Sequence, residues 1–195
     1  MDLLTLITSA GYVGITAVIF AESGLFFGFF LPGDSLLFTA GLLASQDLLR
    51  LEVLISLLSV AAITGDSVGY WFGKKIGPAI FIKEDGFFFR KAHIERTRFF
   101  FEKYGPKAIV LARFVPIVRT FTPILAGVGQ MKYRTFLTYN IAGGTGWVIS
   151  LTMLGYFLGN LVPNIDHYLL PIVLVIIVVS FLPILREWRI SRPKK

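Results

Sequence analysis

An all-α integral membrane fold follows from three observations. Of the 195 residues, 55% are hydrophobic and only 16% charged, with a mean hydropathy of +0.73 that lies far outside soluble composition. Several apolar runs are long enough to cross a bilayer. Two of those runs are broken by proline at positions where they also carry charge. Inside lipid each backbone polar group needs a partner within the protein, so runs of this kind are read as helices. The sequence predicts about four transmembrane helices, two oppositely facing re-entrant helical hairpins and an amphipathic cytoplasmic segment, all in one membrane domain, 1–195.

The elements follow in order. About 30 Å of hydrocarbon takes roughly 20 helical residues. Leu3 to Ala21 is long enough for one crossing; with no Lys or Arg ahead of it and no small-x-small cleavage site, it reads as a retained span rather than a signal peptide. Glu22 to Ser45 is also long, but Pro32-Gly33-Asp34 divides it into arms of about 10–12 residues, too short to cross alone. A hairpin over 22–45 is expected, with Pro32 and Gly33 at its break. Leu51 to Phe72 is the next span, and Gly65, Gly69 and Gly73 share one of its faces, a spacing that lets another helix approach closely.

The segment 74–107 holds nine Lys or Arg against four Asp or Glu, with "FFF" at Phe87–Phe89 and at Phe99–Phe101. It reads as amphipathic and lying along the membrane surface. "AIVLARFVPIVRTFTPILAGVG", Ala108 to Gly129, is then interrupted by Pro116 and Pro123 and carries Arg113 and Arg119, giving a second hairpin over 108–129. Phe136 to Leu158 and Tyr168 to Leu185 are the last spans, and "REWRISRPKK" forms a basic tail over 186–195. Placing the basic segment in the cytoplasm puts Lys132, Arg134 and the tail there too, and leaves the Lys- and Arg-free "NLVPNIDH" outside. Both termini are then cytoplasmic, in a multi-pass membrane protein.

Composition excludes several function classes. Without cysteine there is no disulfide framework, thiolate nucleophile or Cys-containing zinc site, and with only His93 and His167 a multi-histidine metal site is not expected. No metal or other cofactor is expected. The formal charge of +7 belongs to membrane-flanking loops facing anionic lipid, not to a nucleic-acid surface. "GDSL" at Gly33 lacks the later Asp-x-x-His of the hydrolases that share those letters, since Asp166 and His167 are adjacent. "GYWFGKK" has neither the spacing nor the Ser/Thr of a P-loop. The expectation is a protein that is not an enzyme.

Five ionisable residues fall inside or beside apolar runs: Glu22, Asp34, Asp66, Arg113 and Arg119. At roughly 2.5–3.5 kcal/mol each at a helix centre, five facing lipid would cost about 12–17 kcal/mol. That rivals the whole stability of a domain, about 5–15 kcal/mol. They must face protein, water or each other. The arginines suit an anion, because the planar guanidinium matches phosphate oxygens and stays protonated. Glu22 and Asp34 suit proton exchange, because burial favours the neutral carboxyl. Asp66, on the glycine face, reads more simply as a tie to a neighbouring helix. Tyr70, Trp71, Trp147 and Trp188 read as interfacial anchors or packing residues.

Taken together, "AES...FFLPGDSLL", "GDSVGYWFGKKIG", "RFVPIVRTFTPILAG" and "YNIAGGTGW" resemble the DedA family of VTT-domain, SNARE-associated-type membrane proteins, over roughly Glu22 to Gly159. The resemblance implies two facing re-entrant elements and lipid transport, in bacteria the return of undecaprenyl phosphate to the cytoplasmic leaflet, with proton-motive force implicated. It carries the family's functional acids onto Glu22 and Asp34 and its functional arginines onto Arg113 and Arg119. Pro32, Gly33 and Pro116 at the hairpin breaks and Asp66 on the glycine face are read from the chain itself as supporting residues. The expected function is therefore a flippase of the plasma (inner) membrane for a polyprenyl phosphate, with membrane lipid and protons as partners. A phospholipid scramblase, a proton-coupled small-anion transporter and a non-transport scaffold remain as alternatives, and the oligomeric state stays open, a homo-oligomer included.

Overall fold

The computed structural model describes residues 3–24, 31–80 and 101–161, with side chains over 11–24, 31–75, 101–115 and 118–161. The helices are α1 (Leu3–Gly24), α2 (Gly33–Ser45), α3 (Leu51–Ile80), α4 (Ala108–Ala112), α5 (Pro116–Val128) and α6 (Tyr133–Leu161). No strand occurs among the described residues. The expected span at 168–185, the basic tail, most of the amphipathic segment, both histidines and the first arm of the first hairpin lie outside them.

Two described helices, α3 and α6, are long and apolar enough to cross a membrane. Their outward faces carry large apolar side chains, among them Val60, Val68 and Trp71 on α3 and Leu154, Phe157 and Leu161 on α6. Such faces are matched to hydrocarbon, not to water. At 13 residues each, or about 20 Å, α2 and α5 are shorter than the hydrocarbon layer.

Proline chemistry sets where the short helices begin. Pro32 lies outside the helical region at φ −87° and ψ 56°, and its carbonyl accepts from the Leu36 amide at 2.9 Å to open the first turn of α2. Between α4 and α5 the chain makes a tight turn over Arg113 and Phe114. Val115 is then extended at φ −120° and ψ 103°, as a residue before proline prefers, and Pro116 occupies the first turn of α5, where its missing N–H costs nothing.

Two boundaries differ from the sequence reading. α1 stays helical through Gly24, so Glu22 lies near the end of the first helix. α3 runs through Lys74 and Lys75 to Ile80, so the helix continues beyond the apolar span that ends at Phe72.

The helices meet along glycine seams. A Cβ on Gly73 would lie 2.1 Å from the Ile124 carbonyl oxygen of α5, and one on Gly127 of α5 would lie 2.0 Å from that of Tyr70, so α3 and α5 interlock through reciprocal glycines. α2 and α6 repeat the device with Gly41 against Thr152 and Gly155 against Phe38. Gly65 brings α3 against α1 a little less tightly, where a Cβ would lie 2.7 Å from the Phe20 carbonyl oxygen and 3.1 Å from the Gly24 nitrogen. The expected glycine face therefore serves two partners, α1 and α5. Apolar contact gives helices little reason to associate in lipid, so this close backbone approach is the cohesive term. A core that includes Ile19, Leu37, Leu54, Leu58, Trp147 and Val148 ties α1, α2, α3 and α6 together.

Candidate functional site: two arginines around one tryptophan

The breaks before α2 and α5 and the end of α1 converge on one point. All five charged residues singled out from the sequence meet there, sorted into two groups.

The inner group is closed. Arg113, in the turn after α4, is 4% exposed and its Nη2 donates to Asp66 Oδ2 of α3 and, at 2.8 Å, to Asn140 Oδ1 of α6. Asn140 Nδ2 donates in turn to the Ile63 carbonyl at 3.1 Å. The guanidinium lies against Gly144, where a Cβ would stand 3.3 Å from Nη2. Asp66 thus links α3 to the turn after α4, and its partner is Arg113.

The outer group is open on one side. Arg119, on the first turns of α5, donates from Nη2 to Glu22 Oε1 and from Nη1 to Asp34 Oδ1 at 2.5 Å. The Glu22 side chain is 3% exposed, whereas that of Asp34 is 46% exposed. Gly33 makes room for this arrangement, since a Cβ there would fall 1.5 Å from Glu22 Oε2. Asp34 also sits in the first turn of α2, where a negative charge is favoured by the helix dipole.

Trp147 of α6 joins the two groups. Its ring lies 5.6 Å from the Arg113 guanidinium carbon and 5.2 Å from that of Arg119, within reach of cation–π attraction to both. Its Nε1–H donates to Asp34 Oδ1 at 2.7 Å. Trp147 is a packing residue, at 2% exposure, and beyond packing it contacts three of the five charged groups. The sequence reading passed over Asn140. The signal was in the spacing, because Asn140, Gly143, Gly144 and Trp147 recur at intervals of three and four and so share a face of α6. Tyr70 is a packing residue, stacked on Phe136 and donating to the Met131 carbonyl. Pro32 and Pro116 set the two helix starts, and the Pro116 side chain lies outside the described set.

The arrangement offers anion chemistry: two guanidinium groups and an indole N–H, neutralised by carboxylates of unequal accessibility. Among the described residues no cluster of His, Asp or Glu has the makings of a metal site.

Comparison with known proteins places this constellation in a family. The VTT domain matches residues 31–157, which include every residue of the site except Glu22. Protein DedA of Escherichia coli K12 is 45% identical over 174 residues, covering 88% of this chain and 79% of its own. An uncharacterized membrane protein of Mycobacterium tuberculosis H37Rv is 46% identical over 179 residues, covering 91% and 78%. Inner membrane protein YqjA of Escherichia coli K12 is 34% identical over 149 residues, covering 76% and 68%. No solved structure gives a significant match.

Proposed function

This chain belongs to the VTT-domain (DedA) family of membrane proteins, and on that premise we propose that it is a carrier, not an enzyme, which moves a lipid with an anionic phosphate headgroup between leaflets of the plasma membrane. A polyprenyl phosphate such as undecaprenyl phosphate, returned to the cytoplasmic leaflet, is the first choice of cargo. The observation that carries the reading is the state of Arg119: its guanidinium is held by two carboxylates, and the Asp34 side chain is 46% exposed. A phosphate can compete for Arg119 from the open side without dismantling the core.

In this reading α2 and α5 are the inner arms of two re-entrant hairpins entering from opposite faces, with both termini cytoplasmic. Their proline breaks bring charged side chains to membrane depth, where irregular backbone is tolerated beside a wet cavity. Arg119 makes the first contact with the phosphate. Arg113 adds positive potential from behind the Trp147 ring. Glu22 and Asp34 neutralise the vacant site and take up protons when the phosphate displaces them, which links transport to the proton gradient. The lipid tail stays in the bilayer.

The test uses the purified full chain in sealed liposomes with labelled undecaprenyl phosphate, following its movement between leaflets with and without a pH gradient. Wild type is expected to move the lipid faster under a gradient. Arg119→Lys, which keeps the charge and loses the fork, is expected to cut the rate at least tenfold. Arg113→Ala with Arg119→Ala should abolish transport. Movement of several headgroups without any gradient would replace this reading with scrambling, uptake of free phosphate would replace it with small-anion transport, and no movement above empty liposomes would favour a scaffold.

A further inference from the structure

Two donors from different helices converge on one oxygen at the open edge of the site. Arg119 Nη1 of α5 and Trp147 Nε1 of α6 both donate to Asp34 Oδ1, at 2.5 and 2.7 Å. The other carboxylate on Arg119, Glu22, is buried and bonded to Nη2. An oxygen held by a guanidinium N–H and an indole N–H is in the surroundings a phosphate oxygen would select, because both are pure donors and one is charged. The oxygen there belongs to a half-exposed side chain.

We infer that Trp147 Nε1 and Arg119 Nη1 together form the seat for one phosphate oxygen of the cargo, and that Asp34 Oδ1 is its resident stand-in. The inference rests on the anionic-lipid reading and adds a substrate contact, Trp147, that the charged residues alone do not supply. The ring of Trp147 faces the two guanidinium groups, while its N–H points to the exchangeable oxygen. When the phosphate arrives, the indole N–H passes from carboxylate to phosphate without moving, so α6 keeps its place.

This makes an unusual binding prediction. In the wild type the bond from Nε1 is lost by Asp34 and regained by the phosphate, so its contribution to net affinity largely cancels. With Asp34 gone, only the phosphate uses it. Binding of a short-chain polyprenyl monophosphate, with the matching uncharged polyprenol as control, is measured on the detergent-solubilised full chain. Trp147→Phe, which keeps an aromatic ring beside both arginines, is expected to change phosphate affinity by less than about threefold in the wild-type background. In the Asp34→Ala background, where phosphate binds more tightly than to wild type, the same change is expected to weaken it by about tenfold or more, the scale of a hydrogen bond to a charged group. Equal weakening in both backgrounds, or no effect in either, overturns the shared seat and leaves Trp147 a packing residue.

Should Asp34→Ala fail to fold, Asp34→Val, which likewise carries no acceptor for the indole N–H, takes its place, with the same order of effects expected. A second readout uses Trp71→Phe with Trp188→Phe, which leaves Trp147 as the one remaining tryptophan. Its emission should shift with the polyprenyl phosphate and not with the polyprenol; an unchanged spectrum at saturating phosphate overturns the contact. The underlying reading fails separately: if phosphate and alcohol bind alike to both wild type and Asp34→Ala, no anion site exists, whatever Trp147 does.

Discussion

Removing the Asp66 carboxylate should be among the most damaging single changes in this protein, although Asp66 touches no exposed surface. The Arg113 and Asp66 side chains are 5% and 4% exposed, and Arg113 Nη2 serves both Asp66 and Asn140. In Asp66→Ala the guanidinium stays buried with the Asn140 oxygen and the Trp147 ring, neither of which carries a compensating charge. Breaking a buried pair from one side costs about 3–5 kcal/mol. At about 2–4 °C per kcal/mol for a chain of this size, the unfolding midpoint should fall by about 6–20 °C. Adding Arg113→Met removes the stranded charge and should restore more than half of the loss, because an apolar pair can replace a buried ion pair at little cost. Thermal unfolding of the purified full chain in one detergent gives the four corners of the cycle. A loss below about 1 kcal/mol in Asp66→Ala, or a double variant whose loss equals the sum of the singles, would refute the claim that this pair is a closed structural node.

Two further substitutions probe the backbone spaces around the site. Gly33→Ala places a Cβ 1.5 Å from Glu22 Oε2 and must push that carboxylate off Arg119, so transport should be lost while stability falls by only about 1–3 kcal/mol, as liposome assay and thermal unfolding would show. Gly73→Ala meets the Ile124 carbonyl at 2.1 Å, where rigid backbone cannot give way; α3 and α5 should separate, with a lower unfolding midpoint and impaired transport together.

Much of this arrangement can be read from the chain. Pro32 and Pro116 announce helix starts because proline fits the first turn and restricts the residue before it, and the structure begins α2 and α5 at those places. Five charges in apolar runs announce a shared site because lipid cannot hold them singly. What the chain does not reveal is pairing. Asp66 could have met either arginine, and only the turn at Arg113–Val115 aims Arg113 inward while α5 carries Arg119 toward α1 and α2. Trp147 was hidden for a different reason: an aromatic residue in a span has an ordinary use as packing, and its N–H becomes informative only when an acceptor from α2, 113 residues away, is found against it. The run of α3 past Phe72 does not show in the chain because Lys74 and Lys75 end the apolar run and read as the start of the surface segment, whereas the helix carries on through them to Ile80.

Charge balance gives the proposed carrier a reason to take up protons. Glu22, Asp34 and Asp66 oppose Arg113 and Arg119, leaving one negative charge in excess before any cargo arrives. A phosphate monoester brings about −1.5 to −2 more. Three negative charges in excess at membrane depth would oppose binding strongly, and when Arg119 turns to the phosphate, Glu22, its side chain only 3% exposed, is the acid left buried without a counter-charge. At least one proton should therefore enter with each phosphate. In sealed vesicles carrying an internal pH indicator, wild type should acidify the lumen in step with lipid movement to the inner leaflet. Glu22→Gln fixes that side chain in a neutral form, and should still move lipid down its own gradient while losing most of the acceleration by a pH gradient. If Glu22→Gln and wild type respond equally to the gradient, Glu22 is not the coupling acid, and half-exposed Asp34 becomes the group that must carry the proton.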